Sequence, residues 1–298
     1  MRLILDPPAS GRVNMALDEA LLESVARGLV PPTLRLYSFD PPALTLGRAQ
    51  PLADVALAAC ADAGVDVVRR PTGGRAVLHD RDLTYCVVLP IAPDETIGDS
   101  YGRLSQAIAR ALSSLGMPAA IVPGSLDRTR SQATHRQPTA ARRPGETRER
   151  PANCFAVSTV ADLVVDGRKI VGSAQVRRHG FLLQHGSIRL APGVVPIEGL
   201  LSGRPPGRAT SGAPRSVPDP SAGPGFCARP EGLALGSRQP LSIAEALGLR
   251  DPDEEWLAAT RASLSRAIVA ALEVAWIPAR WTDPERNLAR VLASRATP

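Results

Sequence analysis

A single lysine, Lys169, stands among the 35 lysines and arginines of this chain; every other one is arginine. An ammonium is a compact point charge on a slim stem, and it can shed its proton when buried as a guanidinium cannot. Fifteen residues upstream is Cys154. The thiolate is the reactive form of cysteine, and a neighbouring cation lowers a pKa that otherwise stands near 8.5 (about a few per cent thiolate at neutral pH). Cys154 therefore reads as a thiol that the Lys169 charge could activate. The bland alternative is a lysine that is merely solvated on a hairpin.

Two glycine-containing stretches could hold a substrate around that pair. In the first, Arg69, Arg70, Thr72, Arg75 and His79 crowd the Gly73-Gly74 turn, where backbone can approach a ligand and direct amides toward it. A Gly-Gly turn alone is more often a hairpin, and His79 alone more often structural; the concentration of cations and hydroxyls beside flexible backbone marks a binding site. The second stretch is Gly172-Ser173-Ala174-Gln175, another close approach of backbone. Backbone amides near 172–174 could hold an oxyanion. No cysteine or histidine spacing suggests a metal. Cys60, Cys86 and Cys227 lack activating neighbours and are expected to be inert.

The elements that must position these residues follow from pattern. Residues 2–5 and 33–38 read as strands, and 43–47 should continue the same sheet. Asn14 is expected to cap a helix over 15–27, with Leu17, Leu21 and Val25 on one face. An Ala-rich helix is expected over 54–63, then strands over 65–70 and 83–89. Asp99 should cap a helix running to Leu115. The Asp166-Gly167 pair is a hairpin signal between strands over 160–165 and from 169 onward, which would place Lys169 on a rigid element. A second hairpin is expected at His179-Gly180. Asp251-Pro252 reads as a cap with proline at the first helical position. Leu257, Leu264, Ile268 and Leu272 make the packing stripe of the helix that follows.

Two stretches rich in Pro, Arg, Ser and Gly, 124–151 and 203–230, carry no apolar period and are read as mobile inserts. The expected organisation is an α/β (α+β) catalytic domain over 1–240 containing both inserts, and a C-terminal helical segment over 241–298. A net charge of +6 with only 3% aromatic residues suits an acidic protein partner better than nucleic acid, for which stacking platforms are lacking. The N-terminal residues do not read as a signal peptide and no run reaches membrane-spanning length, so a reducing cytoplasm is expected.

Four blocks in order carry a resemblance: Asn14-Met-Ala-Leu-Asp-Glu-Ala20; Arg69-Arg-Pro-Thr-Gly-Gly-Arg-Ala-Val-Leu-His-Asp80; Asn153-Cys-Phe155; and Asp166-Gly-Arg-Lys-Ile-Val-Gly-Ser-Ala-Gln175 with Leu183-Gln-His-Gly186. Over roughly residues 1 to 201 they resemble the biotin/lipoate protein ligase superfamily, in particular its cysteine-dependent octanoyltransferases of lipoate assembly, the LipM type. The resemblance implies a mixed central sheet flanked by helices. It implies that Cys154 carries an acyl-thioester and that Lys169 lowers its pKa. The Gly-Gly turn (Arg70, Thr72, Gly73, Gly74, Arg75, His79), the Gly172–Gln175 segment and the His185-Gly186 pair would line the acyl pocket. It further implies no cofactor or metal, octanoyl-acyl carrier protein as donor, a lipoyl-domain or glycine-cleavage H-type protein as acceptor, and no part for nucleic acid or membrane. An ATP-dependent lipoate–protein ligase of the same superfamily stays open, although Arg75 occupies the place where those ligases usually carry a third small residue to admit the nucleotide. A relay between lipoyl domains and a non-catalytic acyl-binding protein also remain.

Overall fold

The computed structural model of the chain describes residues 1–121, 162–202 and 240–296. Cys154, Cys227, His135 and both expected inserts lie outside the described residues. Among the described residues the main sheet has the order β11-β1-β2-β6-β10-β9-β8-β7. In chain order these strands are β1 (Arg2–Leu5), β2 (Thr33–Tyr37), β6 (Asp82–Pro90), β7 (Ala120–Ile121), β8 (Leu163–Val165), β9 (Arg168–Arg178), β10 (Phe181–Arg189) and β11 (Ile277–Pro278). β11, β1 and β2 run parallel; every pairing from β2 to β7 is antiparallel. A separate small sheet, β4-β3-β5, joins β3 (Ala43–Leu46), β4 (Asp66–Arg69) and β5 (Val77–His79). Residues 43–47 thus start a second sheet instead of extending the first.

Strand alternation divides the core. Leu34 and Leu36 of β2 and Leu83, Tyr85, Val87 and Leu89 of β6 face one side. There they meet Leu104, Ile108 and Leu112 of α3 (Ile97–Ser114), and Leu257, Leu264 and Ile268 of α5 (Glu254–Ala271), which follows the short α4 (Ile243–Ala246). On the other side Tyr37, Cys86, Val88 and Leu183 pack against Met15, Leu21, Leu22 and Val25 of α1 (Gly11–Ala26). Cys60 of α2 (Leu57–Asp62) is buried in a third cluster, under the small sheet. Burial pushes the Cys60 and Cys86 thiols up, which suits inert core residues. α6 (Asp283–Arg295) closes over α1.

Three expected caps belong to other residues. Ser10 caps α1, accepting from the Val13 amide, while Asn14 lies within the helix, fully buried. Thr96 caps α3, and Asp99 completes a reciprocal pair with it from the N3 position. Asp253 caps α5, two residues beyond the expected Asp251. The hairpin signals fall where expected. Asp166 and Gly167 both take positive φ (50° and 70°), as do His179 and Gly180 (53° and 78°), the backbone that two-residue hairpins require.

Candidate active site

A cavity of about 30 Å3, room for roughly two waters, lies between α1 and the middle of the main sheet. Its walls are Met15 of α1, Tyr37 of β2, Thr45 of β3, Val77 and His79 of β5, Thr84 of β6, and the facing segments 172–174 of β9 and 185–187 of β10, with Arg70 just past β4. It brings together seven of the expected residues: Arg70, His79, Gly172, Ser173, Ala174, His185 and Gly186. Thr72 is buried against it, 2.7 Å from His185 Nε2. Gly73 and Gly74 are exposed on the turn and Arg75 is half-buried; none of the three lines the cavity. Gln175 serves a different network. Its amide nitrogen donates to Gln184 and Ser100, and its oxygen accepts from Arg177.

The turn at 71–75 is held by consecutive arginines that reach in opposite directions. Arg69 donates to the carbonyls of Gly47 (2.8 Å) and Gln50 (2.7 Å). Buried Arg70 donates to the carbonyls of Thr45 (2.9 Å), Gly73 (2.9 Å) and Arg75 (2.7 Å). Through these carbonyls Arg70, itself part of the cavity wall, also organises the loop. The two loops touch backbone to backbone: the Arg48 amide donates to the Thr72 carbonyl (2.8 Å). A Cβ on Gly47 would collide with the Gly74 carbonyl.

Beneath the cavity are buried carboxylates. Asp18 accepts from Arg35 (2.8 Å), Tyr37 (2.8 Å) and His185 Nδ1 (3.0 Å). Burial alone would raise its pKa, but the His185 hydrogen bond and the Arg35 charge outweigh it and hold the carboxyl below its ordinary value. Asp82 accepts from His79 Nδ1 (2.7 Å), Ser187 (2.6 Å) and Thr84 (3.1 Å). It too is held low: burial raises it, and the His79 charge and these bonds lower it further. Burial drives His185 the other way, below its ordinary value, against the opposing pull of Asp18.

Lys169 is the second residue of β9 and is buried, with Nζ 2.8 Å from Asp162 Oδ2; both side chains are withdrawn from solvent. A β-bulge sets its direction. Leu163 pairs with Val171 and Val164 with Lys169, which leaves Ile170 as the extra residue. Ile170 and Val171 consequently pack into the same core, and the alternation resets around them. Lys169 falls in step with Gly172 and Ala174 of the cavity wall. Leu163 and Val165 also face that core, so Asp162 shares the Lys169 side. The chain's one ammonium side chain thus forms a buried ion pair with Asp162.

The Gly172–Ala174 segment is close-packed for a reason that the sequence did not reveal. Gly186 is in register with Tyr85 on one side and Ser173 on the other. A Cβ there would meet Tyr85 Cε1 at 2.5 Å and the Gly172 carbonyl at 2.8 Å. The bare strand lets the Tyr85 hydroxyl reach Ser173 Oγ (2.7 Å) and accept from Gln184 (3.0 Å). Burial pushes the Tyr85 pKa up to about 12 despite those bonds.

Sequence reading missed Asp162, Asp18, Arg35, Tyr37, Thr45 and Asp82. Asp18 sat within the quoted 14–20 block, where the helical pattern drew attention to its apolar neighbours. Among the described residues no group of three or more His, Cys, Asp or Glu is arranged to hold a metal ion. No helix among them is long and apolar enough to cross a membrane.

Comparison with known proteins adds the following. Residues 10–222 match the family described as the lipoyl protein ligase A/B catalytic domain. An octanoyltransferase LipM from Kyrpidia tusciae is 43% identical over 194 residues, covering 63% of this chain and 65% of that protein, just under two thirds of its length. Another, from Symbiobacterium thermophilum, is 34% identical over 285 residues, covering 95% of this chain and 90% of the relative. Among solved structures, a bipartite lipoate protein ligase and its E2 lipoyl domain from Thermoplasma acidophilum matches with a TM-score of 0.63 at 24% identity, over 99% of this chain and 92% of that one. A lipoate-protein ligase A bound with ATP matches at 0.65 and 22%, over 99% and 94%. The structural likenesses share the fold: a mixed sheet flanked by helices.

Proposed function

Because this chain belongs to the lipoyl protein ligase A/B catalytic-domain family, we propose that it is an octanoyltransferase of lipoate assembly working through a Cys154 acyl-thioester. The observation that carries the reading is the buried Lys169–Asp162 pair, which turns a cation onto the cavity side of β9 in a chain whose relatives are named octanoyltransferases. Octanoyl-acyl carrier protein is the donor. The Cys154 thiolate attacks the donor carbonyl carbon; the new C–S bond forms as the bond to the pantetheine sulfur breaks, and that thiolate leaves and takes up a proton. The lysine amine of a lipoyl domain, or of a glycine-cleavage H-type protein, then attacks the enzyme thioester. The Cys154 sulfur departs, and the amine gives up a proton as the amide forms. Backbone amides of 172–174 hold the oxyanion in both steps. The reaction needs no cofactor and runs in the cytoplasm.

Met15, unbranched with three rotatable bonds, is the wall residue best able to adapt to an acyl chain. Incubation with octanoyl-acyl carrier protein and no ATP should add one octanoyl mass in intact-protein mass spectrometry. The adduct should vanish in Cys154→Ala and persist in Cys60→Ala, Cys86→Ala and Cys227→Ala. Product formation that strictly requires ATP would replace this reading with a ligase.

A further inference from the structure

Two Asp–His–Thr chains meet on one guanidinium. From α1, Asp18 Oδ2 accepts from His185 Nδ1 (3.0 Å), and His185 Nε2 lies 2.7 Å from Thr72 Oγ1. From β6, Asp82 Oδ2 accepts from His79 Nδ1 (2.7 Å), and His79 Nε2 lies 3.1 Å from Thr45 Oγ1. Both hydroxyls end on Arg70, whose Nε is 3.1 Å from Thr72 Oγ1 and whose Nη1 is 3.3 Å from Thr45 Oγ1. All of these side chains are buried.

A carboxylate oxygen only accepts, so each imidazole carries a hydrogen on Nδ1 and presents Nε2 to its threonine hydroxyl. A guanidinium only donates, so each threonine oxygen accepts from Arg70. In the first chain burial holds the His185 pKa low, so Nε2 accepts and the Thr72 hydroxyl donates. Each hydroxyl is thereby tied to the carboxylate two links behind it. The hydrogens that remain on Arg70 hold the Gly73, Arg75 and Thr45 carbonyls.

We propose that the paired Asp–His–Thr chains are a positioning device that fixes Arg70 and, through it, the 71–75 turn against the acyl-binding cavity. Asp18, Asp82, His79, His185, Thr45 and Thr72 are positioning residues in this scheme. Both ring nitrogens of each histidine are already engaged, so neither imidazole serves the substrate as a base. The inference rests on the proposed acyl transfer for its rate consequences and on geometry alone for its effect on the turn.

The test uses Thr45→Val and Thr72→Val, alone and together, in the full chain. Two quantities are read: the rate of enzyme octanoylation by a small octanoyl thioester, and amide hydrogen exchange across 71–76. Misplacing Arg70, which lines the cavity, costs up to about 100-fold, and each single variant should slow octanoylation by about 10-fold or more while exchange in the turn accelerates. The double variant should lose less than the product of the two singles, because both act through one guanidinium. Thr→Ser at either position should restore most of the rate. If a valine variant fails to fold, Asp18→Asn takes its place. Both Asp18 oxygens accept from donors, so an amide NH2 there must face one.

Valine variants that octanoylate at the wild-type rate with unchanged exchange in the turn would overturn the proposal, whatever happens to their melting temperature. Losses that simply multiply would overturn the convergence on Arg70. Should the wild-type protein itself take up no octanoyl group, the functional reading fails, and the exchange measurement alone still decides whether these chains hold the turn.

Discussion

At the scale of single residues, Asp162 changes what Lys169 can do. A bare ammonium beside a thiol would stabilise the thiolate strongly, but an ammonium 2.8 Å from a buried carboxylate presents a dipole whose field falls off faster than that of a free charge. Lys169 was legible because it is unique in composition. Asp162 was not, since nothing in sequence separates it from the rest of 29 acidic residues, and only the bulge at Ile170 puts the two on one side of the sheet. If Cys154 is the neighbour of this pair, Asp162→Asn removes a negative charge that opposes the thiolate, and the Cys154 pKa should fall. The measurement is the pH dependence of iodoacetamide alkylation at Cys154, followed by peptide mass spectrometry. The half-maximal rate should move to lower pH in Asp162→Asn and to higher pH in Lys169→Met. Breaking a buried pair costs about 3–5 kcal/mol when one partner is deleted, so folding is checked by circular dichroism first. A profile that stays in place in both variants would put the pair away from the thiol and remove the activation mechanism.

Among the elements, the hairpins were readable and the caps were not, and the reason is physical. A two-residue hairpin demands positive φ at adjacent positions, which few residue pairs supply, so Asp166-Gly167 and His179-Gly180 announce themselves. Capping needs only a short side-chain acceptor, and Ser, Thr, Asp and Asn all qualify. Asn14 was taken for a cap because its type allows it. Its amide instead donates to the carbonyls of Ala9 (2.9 Å) and Ser38 (3.0 Å), and its oxygen accepts from Arg35 (2.7 Å). Those partners are tertiary and leave no local trace. Gly186 belongs to the same class: the resemblance implied a place lining the acyl pocket, and its tertiary neighbour, the Tyr85 ring against which a Cβ would collide, left no local trace. Gly186→Ala should therefore destabilise the fold by about 1–3 kcal/mol through overpacking against the Tyr85 ring, read from urea unfolding. The same change in Tyr85→Leu, which removes the hydroxyl and narrows the ring to a branched chain, should cost less. An equal cost in both backgrounds would mean that the Gly172 carbonyl, and not the tyrosine, enforces the glycine.

At the scale of the whole molecule, the polar groups that surround the cavity are buried between α1 and the sheet, and the price appears in the pH dependence of stability. The folded-state pKa of His185 lies below its ordinary 6.5 because burial disfavours the imidazolium. A depressed pKa means that the folded state binds fewer protons than the unfolded one in this window, so stability rises with pH there. The contribution of His185 is fully present above pH 6.5 and is lost as pH falls through its folded value. The Asp18 and Asp82 carboxyls, held below their ordinary 3.8, add a second loss in stronger acid by the same sign. Urea midpoints measured at intervals from pH 8 to pH 4 should stay level at first and decline once the pH drops below about 6.5, the ordinary histidine range. In His185→Gln, whose side chain does not titrate, the decline between pH 7 and pH 5 should flatten, leaving the carboxylate loss at lower pH. A wild-type midpoint that climbs as the pH drops from 7 to 5 would show His185 to be stabilised in its charged form. The Asp18 carboxylate would then outweigh burial, and the hydrogen on Nε2 would have to point at Thr72, reversing the first chain of the pair that converges on Arg70.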